Sequence, residues 1–318
     1  MKPTLLIAES QDFSPSALGI LSNAFQVECA DLDQVGLKSR IKDVNCLWVR
    51  LRNYIDRSLI ASAPKLKVIA TNTTGLNHID LKAAAEHGIE VVSLRGEVEF
   101  LKSIRATAEL TIALTLAVLR NLHAAHEHVL AGGWDRVPFK GREIFEKTVG
   151  IVGYGRLGSI VAGYFRAFGA NVLICDPKLV GQRHVDGFEV QELHDLLAES
   201  EIVSLHANYT PANERFFGRA QFQAMRPDSI FINTARGELV DEAALVEALR
   251  EKRLAGAALD VISSEHDQSE WLSKLRELAR KSGNIILTPH IGGNTFESLS
   301  RTEDFLAQKL IDWARTNS

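Results

Sequence analysis

The chain has 318 residues, 46% of them hydrophobic and 24% charged, with a formal net charge of −4. That is the make-up of an ordinary soluble globule, too long for one comfortable core and with no electrostatic reason to hold nucleic acid or an anionic membrane. The three cysteines, Cys29, Cys46 and Cys175, are odd in number and far apart, which excludes a disulfide framework and predicts buried free thiols in a reducing, cytoplasmic compartment.

The N-terminal stretch MKPTLLIAES has too short an apolar run for a secretion signal and reads as a first strand. Short β-rich runs then alternate with helix-length segments: TLLIA, NCLWVR, KVIAT and IEVVSL, followed by TVGIVG, NVLICD, EIVSLH, SIFINT, AGAALD and NIILTPH. Such alternation predicts βαβ units and parallel sheets, and ten strands exceed one sheet. The first four are assigned to a lobe spanning residues 1–103, with a helix entry at Ser14-Pro15 and a helix exit at Gly88. A long helix is expected from Ile104 to about Leu130, ending at Gly132-Gly133. Its apolar core, Leu110–Leu119, is far short of a membrane span. The last six strands form a second lobe over residues 104–292. The final helix, Thr295–Trp313 within residues 293–318, follows that lobe and is expected to return to the first, making it discontinuous.

The most specific stretch is TVGIVGYGRLGSIVAGYFRAFGANVLICDPK. Gly153, Gly155 and Gly158 follow a strand and open a helix, as a dinucleotide turn requires. The first allows the tight turn, the second lets backbone approach a pyrophosphate, and the third lets helix pack on strand. The helix N-terminus, with Arg156 and Leu157, offers free N–H groups and positive potential to the diphosphate. Asp176 ends the next strand 18 residues past Gly158, where a carboxylate accepts both adenosine ribose hydroxyls. A 2′-phosphate about 4 Å from that carboxylate would be repelled by roughly 4 kcal/mol per unit charge at an effective dielectric near 20. NAD is therefore expected over NADP.

At FINTARGELVDE a lone cation, Arg236, ends a buried run, and from there the chain resembles the D-isomer-specific 2-hydroxyacid dehydrogenases. INTARGELVDEAALVEAL, AGAALDV and ILTPHIGG all match that family's signatures, as does the glycine motif with Asp176. The match is dense from Gly141 to Gly293 and looser from Val49 to Val92. The resemblance implies an α/β fold of two doubly wound parallel-sheet domains. One is a Rossmann NAD-binding domain, the other a flavodoxin-like substrate domain, with the active site in the cleft between them. It also implies hydride transfer between nicotinamide and C2 of a D-2-hydroxy acid or 2-oxo acid, with Arg236, Glu265 and His290 as the catalytic set. Arg236 can grip the substrate carboxylate with a planar fork that Ala235 and Gly237 leave unobstructed. His290 supplies the imidazole that a general acid/base needs, and Glu265 fixes its tautomer. By the same resemblance Asp260 orients the nicotinamide, while His206 and Thr234 line the nucleotide cleft. His266, beside Glu265, lacks the strand-end position and is not assigned. The histidines of HAAHEH (His123, His126, His128) lack zinc-hydrolase spacing, so no metal is expected.

ATNTTGLNHIDLKAAAEHGIEVVSL resembles the family's substrate-domain stretch, whose loop binds a carboxylate through backbone N–H groups at Thr74 and Gly75. That loop departs from the usual pattern at Thr73, where a glycine is common, and at His78, where an asparagine is. Arg52 matches a position that often faces substrate. Between Gly96 and Glu109 the chain carries about five more residues than the family's usual connection, with Arg95 just before that loop and Lys102 and Arg105 within it. A substrate larger than lactate, with an extra anionic group, is the expectation; a surface elaboration is the alternative. A homodimer is expected through the Ile104–Leu130 helix and Trp134. The rival function is an NAD(H)-sensing binding scaffold resembling the corepressors of this fold. A formate dehydrogenase is disfavoured by Glu265. Serine-pathway phosphoglycerate dehydrogenases are possible relatives, with no regulatory domain expected after Ser318.

Overall fold

The structure, a computed structural model, describes residues 2–263, 265, 270–282 and 284–317. The chain divides into two compact units, Met1–Ile104 with Asn294–Ser318, and Arg105–Gly293.

Unit 1 is built on β1 (Thr4–Ile7), β2 (Gln26–Cys29), β3 (Cys46–Val49), β4 (Val68–Thr71) and β5 (Glu90–Ser93). They form one parallel sheet in the order β2-β1-β3-β4-β5, the flavodoxin-like doubly wound order. Around it lie α1 (Pro15–Leu21), α2 (Gln34–Arg40), α3 (Arg57–Ala61), α4 (Leu81–Glu86) and α5 (Val98–Leu101). Ser14, Asp33, Asp56 and Asp80 cap the first four, each side chain accepting an N–H of the first turn. The strand period of two separates two cores. Leu6, Leu47 and Ile69 face α2, α3 and α4, whereas Leu5, Ile7, Trp48 and Val68 pack with Leu306, Leu310 and Ile311 of the C-terminal helix. That helix also delivers Glu303 to the interior, where it receives Arg50 at 2.5 Å and the N–H of Ser14 at 2.8 Å.

Unit 2 holds β6 (Thr148–Val152), β7 (Asn171–Cys175), β8 (His184–Val185), β9 (Phe188–Val190), β10 (Ile202–Leu205), β11 (Ile230–Asn233), β12 (Gly256–Leu259) and β13 (Ile285–Leu287). Their order is β13-β12-β11-β10-β6-β7-β9-β8, parallel except for the β8–β9 hairpin. The connections reverse direction between β6 and β10, the point where open α/β sheets receive ligands. The helices are α6 (Ala106–Leu119), α7 (Leu122–Leu130), α8 (Arg156–Ala167), α9 (Leu193–Glu199), α10 (Arg219–Ala224), α11 (Glu242–Arg250) and α12 (Glu270–Ser282), and the C-terminal helix of unit 1 is α13 (Phe296–Thr316). Among the described residues no helix is long and apolar enough to cross a membrane.

Several sequence-based expectations need correction. All ten predicted strands are present, but β2, β8 and β9 add three more, so unit 1 has five strands among the described residues and not four. The helix expected from Ile104 to Leu130 is two helices, broken where Asn121 takes a left-handed φ of 50°. The lengthened Gly96–Glu109 connection is not an open loop: α5 forms within it, and Phe100 stacks on Phe305 of α13 at 3.9 Å. α13 runs three residues beyond Trp313, to Thr316. Of the cysteines, Cys46 is buried, Cys175 partly so, and Cys29 is exposed at the end of edge strand β2.

Candidate active site

β6 runs into Gly153, which holds a left-handed φ of 97°, and α8 starts at Arg156. A Cβ on Gly153 would lie 2.5 Å from the Ala207 nitrogen, and one on Gly158 would overlap the Gly153 carbonyl oxygen. A Cβ on Gly155 would meet no atom of the described residues within 4 Å beyond its own chain neighbours. Two glycines are therefore demanded by packing, and the middle one keeps a space clear. That space lies at the N-terminus of a 12-residue helix, whose first amides lack intrahelical acceptors, so an extended diphosphate fits the residues present.

Asp176 stands where β7 ends. One carboxylate oxygen accepts the Tyr154 N–H and the other the Lys178 N–H, both at 2.9 Å. The carboxylate is thereby fixed beside the glycine turn, with lone pairs left on each oxygen for ribose hydroxyls. Burial pulls the Arg156 guanidinium below its usual value, and the like charge of Arg105 adds to that effect. Leu157 follows it on α8, partly buried. His206 follows β10 and is buried, with Nε2 on the Ser204 hydroxyl at 2.8 Å and Nδ1 without a partner among the described residues. Burial lowers its imidazole to about 3, so the ring is neutral. Thr234 is buried against the Thr111 hydroxyl at 2.8 Å.

The end of β11 is tied by one side chain. Asn233 accepts the Ala235 N–H and donates to the Arg236 carbonyl, both at 3.0 Å. Gly237 must be glycine, because a Cβ there would overlap the Ile262 carbonyl group of the segment following β12. Arg236 is left in extended backbone, one guanidinium nitrogen donating to the Ala235 carbonyl at 2.6 Å. Burial lowers its guanidinium from the usual value, opposed by the negative charges of Glu238 and Glu265. Glu265 in turn bonds His290 Nδ1 at 2.7 Å. A carboxylate oxygen only accepts, so Nδ1 carries the proton and Nε2 is the lone-pair nitrogen of the neutral ring. Arg236, Glu265 and His290 thus form one electrostatic cluster within unit 2. His266 lies outside the described residues.

His290 occupies the left-handed region, at a φ of 54°. Sequence reasoning did not foresee this, nor what holds it. Asp260 does, almost alone. Its backbone carbonyl accepts the His290 N–H at 2.9 Å, and its carboxylate accepts the Thr288 hydroxyl at 2.6 Å and the Ile291 and Gly292 N–H groups at 2.9 and 2.8 Å. The residue expected to orient the nicotinamide is also the anchor of the histidine loop. The sequence signal was there, in a buried Asp at a strand end 30 residues before the His, but its partners are backbone groups that no motif displays.

In unit 1, Thr74 is exposed and Gly75 half-buried. The Arg52 guanidinium pairs with Asp31 at 2.7 Å, so it is engaged on its own unit's surface. Arg95 is exposed, and Lys102 is exposed and paired with Glu99 at 2.7 Å.

Residues 112–292 match the family model of the D-isomer specific 2-hydroxyacid dehydrogenase, NAD binding domain. The chain is 35% identical over 310 residues to D-3-phosphoglycerate dehydrogenase of Mycobacterium tuberculosis, covering 97% of this chain and 56% of the relative. It is 34% identical over 287 residues to glyoxylate reductase of Thermococcus litoralis, covering 88% and 83%. Its structure is similar to D-lactate dehydrogenase from Aquifex aeolicus complexed with NAD and lactic acid, with a TM-score of 0.83, 28% identity and coverage of 98% and 96%. The chain spans about half the length of the phosphoglycerate dehydrogenases it matches.

Proposed function

The chain belongs to the D-isomer-specific 2-hydroxyacid dehydrogenases, and we propose that it interconverts a D-2-hydroxy acid and its 2-oxo acid. NAD, when bound at the turn from Gly153 to Gly158 and Asp176, supplies the hydride acceptor at its nicotinamide ring. Every other element of the reaction belongs to the protein. His290 Nε2 removes the proton from the C2 hydroxyl as hydride leaves that carbon. Glu265 holds Nδ1–H and stabilises the imidazolium that results. Arg236 binds the substrate carboxylate and polarises the C2 oxygen; its burial raises the value of that charge. Thr74 and Gly75 receive the substrate through backbone N–H groups, and Arg95 supplies positive charge toward a second anionic group.

The single observation that carries this reading is the 2.7 Å bond from His290 Nδ1 to Glu265, which leaves the other nitrogen basic. The protein is further read as a cytoplasmic homodimer. The test is NADH oxidation with a panel of neutral and acidic 2-oxo acids. Wild type turns over at least one. His290→Asn lowers kcat by about 10²–10⁴-fold, the range of general acid–base catalysis, while NADH binding is retained. Arg236→Lys does not restore kcat/KM, because a point charge lacks the planar fork. NADH binding without turnover on any acid would instead favour the sensing scaffold.

A further inference from the structure

The 72–77 loop of unit 1 carries an arrangement that the reaction chemistry above does not use. His78 is buried, at 4% exposure, as is Thr71. His78 Nε2 lies 3.2 Å from Thr71 Oγ1, which lies 3.1 Å from Thr73 Oγ1, which donates to the Gly75 carbonyl at 2.7 Å. The proton inventory gives this chain a direction. A carbonyl oxygen can only accept, so Thr73 spends its one hydroxyl proton on Gly75 and must accept from Thr71. Thr71 has then spent its own proton and must accept from His78. The imidazole therefore carries hydrogen on Nε2, and the sequence of donors runs one way from His78 to Gly75.

The loop's other contacts complete the picture. The Thr73 carbonyl accepts the Leu94 N–H at 3.1 Å, so the carbonyls of residues 73 and 75 are both drawn onto protein donors. No partner among the described residues takes the N–H groups of Thr74 and Gly75. Successive amides without an acceptor in the protein are the groups an anion-receiving loop offers. The two positions at which the loop departs from the family pattern, Thr73 and His78, are joined in one chain through Thr71.

We propose that His78, through Thr71 and Thr73, is a positioning residue that locks the Thr74–Gly75 amides in the orientation that receives the substrate carboxylate. This rests on the dehydrogenase reading and adds to it a determinant of substrate affinity. Three readouts test it: KM and kcat for the best 2-oxo acid, NADH affinity by fluorescence, and amide hydrogen exchange across residues 72–77. Thr73→Val keeps the shape and removes the proton; His78→Phe removes the first donor. Each raises KM about five- to tenfold, the factor of one lost hydrogen bond, and speeds exchange of the loop amides. Both leave kcat within about twofold and NADH affinity unchanged. Thr73→Ser restores wild-type KM. The double variant is no worse than either single one, because both break the same chain. Unchanged KM and exchange in Thr73→Val, or an equal loss of NADH affinity, overturns the proposal. Should His78→Phe not fold, Thr73→Val and Thr73→Ser decide it alone. A wild type inactive on every 2-oxo acid overturns the dehydrogenase reading and this proposal together, whereas an active wild type with indifferent variants overturns this one only.

Discussion

His206 brings its Nδ1 lone pair, or the proton on it, into the interior without a partner among the described residues, and burial lowers the ring to about 3 and keeps it neutral. The unfolded chain takes up a proton on that side chain near pH 6.5. Between those two values the unfolded state binds the extra proton, so stability is full above about pH 6.5 and falls as pH drops toward 3. At pH 5 the loss is about 2 kcal/mol. Urea denaturation at pH 7 and pH 5 will show this drop in wild type and a smaller one in His206→Gln. Equal drops would mean that other groups carry the acid sensitivity. At this scale Asp176 is expected from its spacing past Gly158, and Arg236, Glu265 and His290 from the resemblance to the family. The left-handed backbone of His290, the multiple bonds accepted by Asp260 and the bridging hydroxyl of Thr71 are not. These depend on the direction of a side chain and on partners far away in sequence, and residue types record neither.

Three glycines of one element separate packing from binding. Gly155→Ala places a methyl group in open space at an ordinary negative φ, −84°. It leaves the melting temperature unchanged and weakens NADH binding at least tenfold, because the Cβ occupies the diphosphate approach. Gly158→Ala drives its Cβ into the Gly153 carbonyl and lowers the melting temperature. Gly163→Ala, inside α8 with nothing within 4 Å, stabilises by about 0.5–1 kcal/mol. Differential scanning fluorimetry and NADH titration on the three variants check the ordering. An unaltered NADH affinity in Gly155→Ala would remove the diphosphate from that turn. Strands were legible where they are central: β3, β4, β10, β11 and β12 are buried at every residue and read as mainly apolar runs, with Thr71, Ser204 and Asn233 as polar members. The three that escaped are β2, an edge strand with no fully buried residue, and the two- and three-residue arms of the β8–β9 hairpin. The break between α6 and α7 carries no Gly or Pro, only Asn121, one of the few residues that tolerate the left-handed region.

On the scale of the molecule, the region from α7 to Val137 exposes Leu122 at 60%, Leu130 at 68%, Trp134 at 89% and Val137 at 75%. Apolar side chains so exposed within a short stretch fit the surface proposed to pair subunits. Leu130→Glu with Trp134→Glu converts a dimer into a monomer in sedimentation velocity, with the NADH-binding turn intact; a wild type that sediments as a monomer removes the proposal. The division into an α/β pair was foreseeable from strand count and from the late position of α13. The docking of α5 on that helix was not, because Phe100 and Phe305 are two hundred residues apart and neither sits in a motif.

The discontinuity of unit 1 sets a timetable for the newborn chain. The sheet β1–β5 leaves the ribosome first, yet one of its faces is covered by Leu306, Leu310 and Ile311, made only after all of Arg105–Gly293. At roughly 5–20 residues per second, that interval lasts about 10–40 s. Throughout it Trp48 and its neighbours have only the α1 side of their cover, Phe13, Ala17 and Leu21, whereas Arg105–Gly293 is one continuous run of chain that waits for nothing made later.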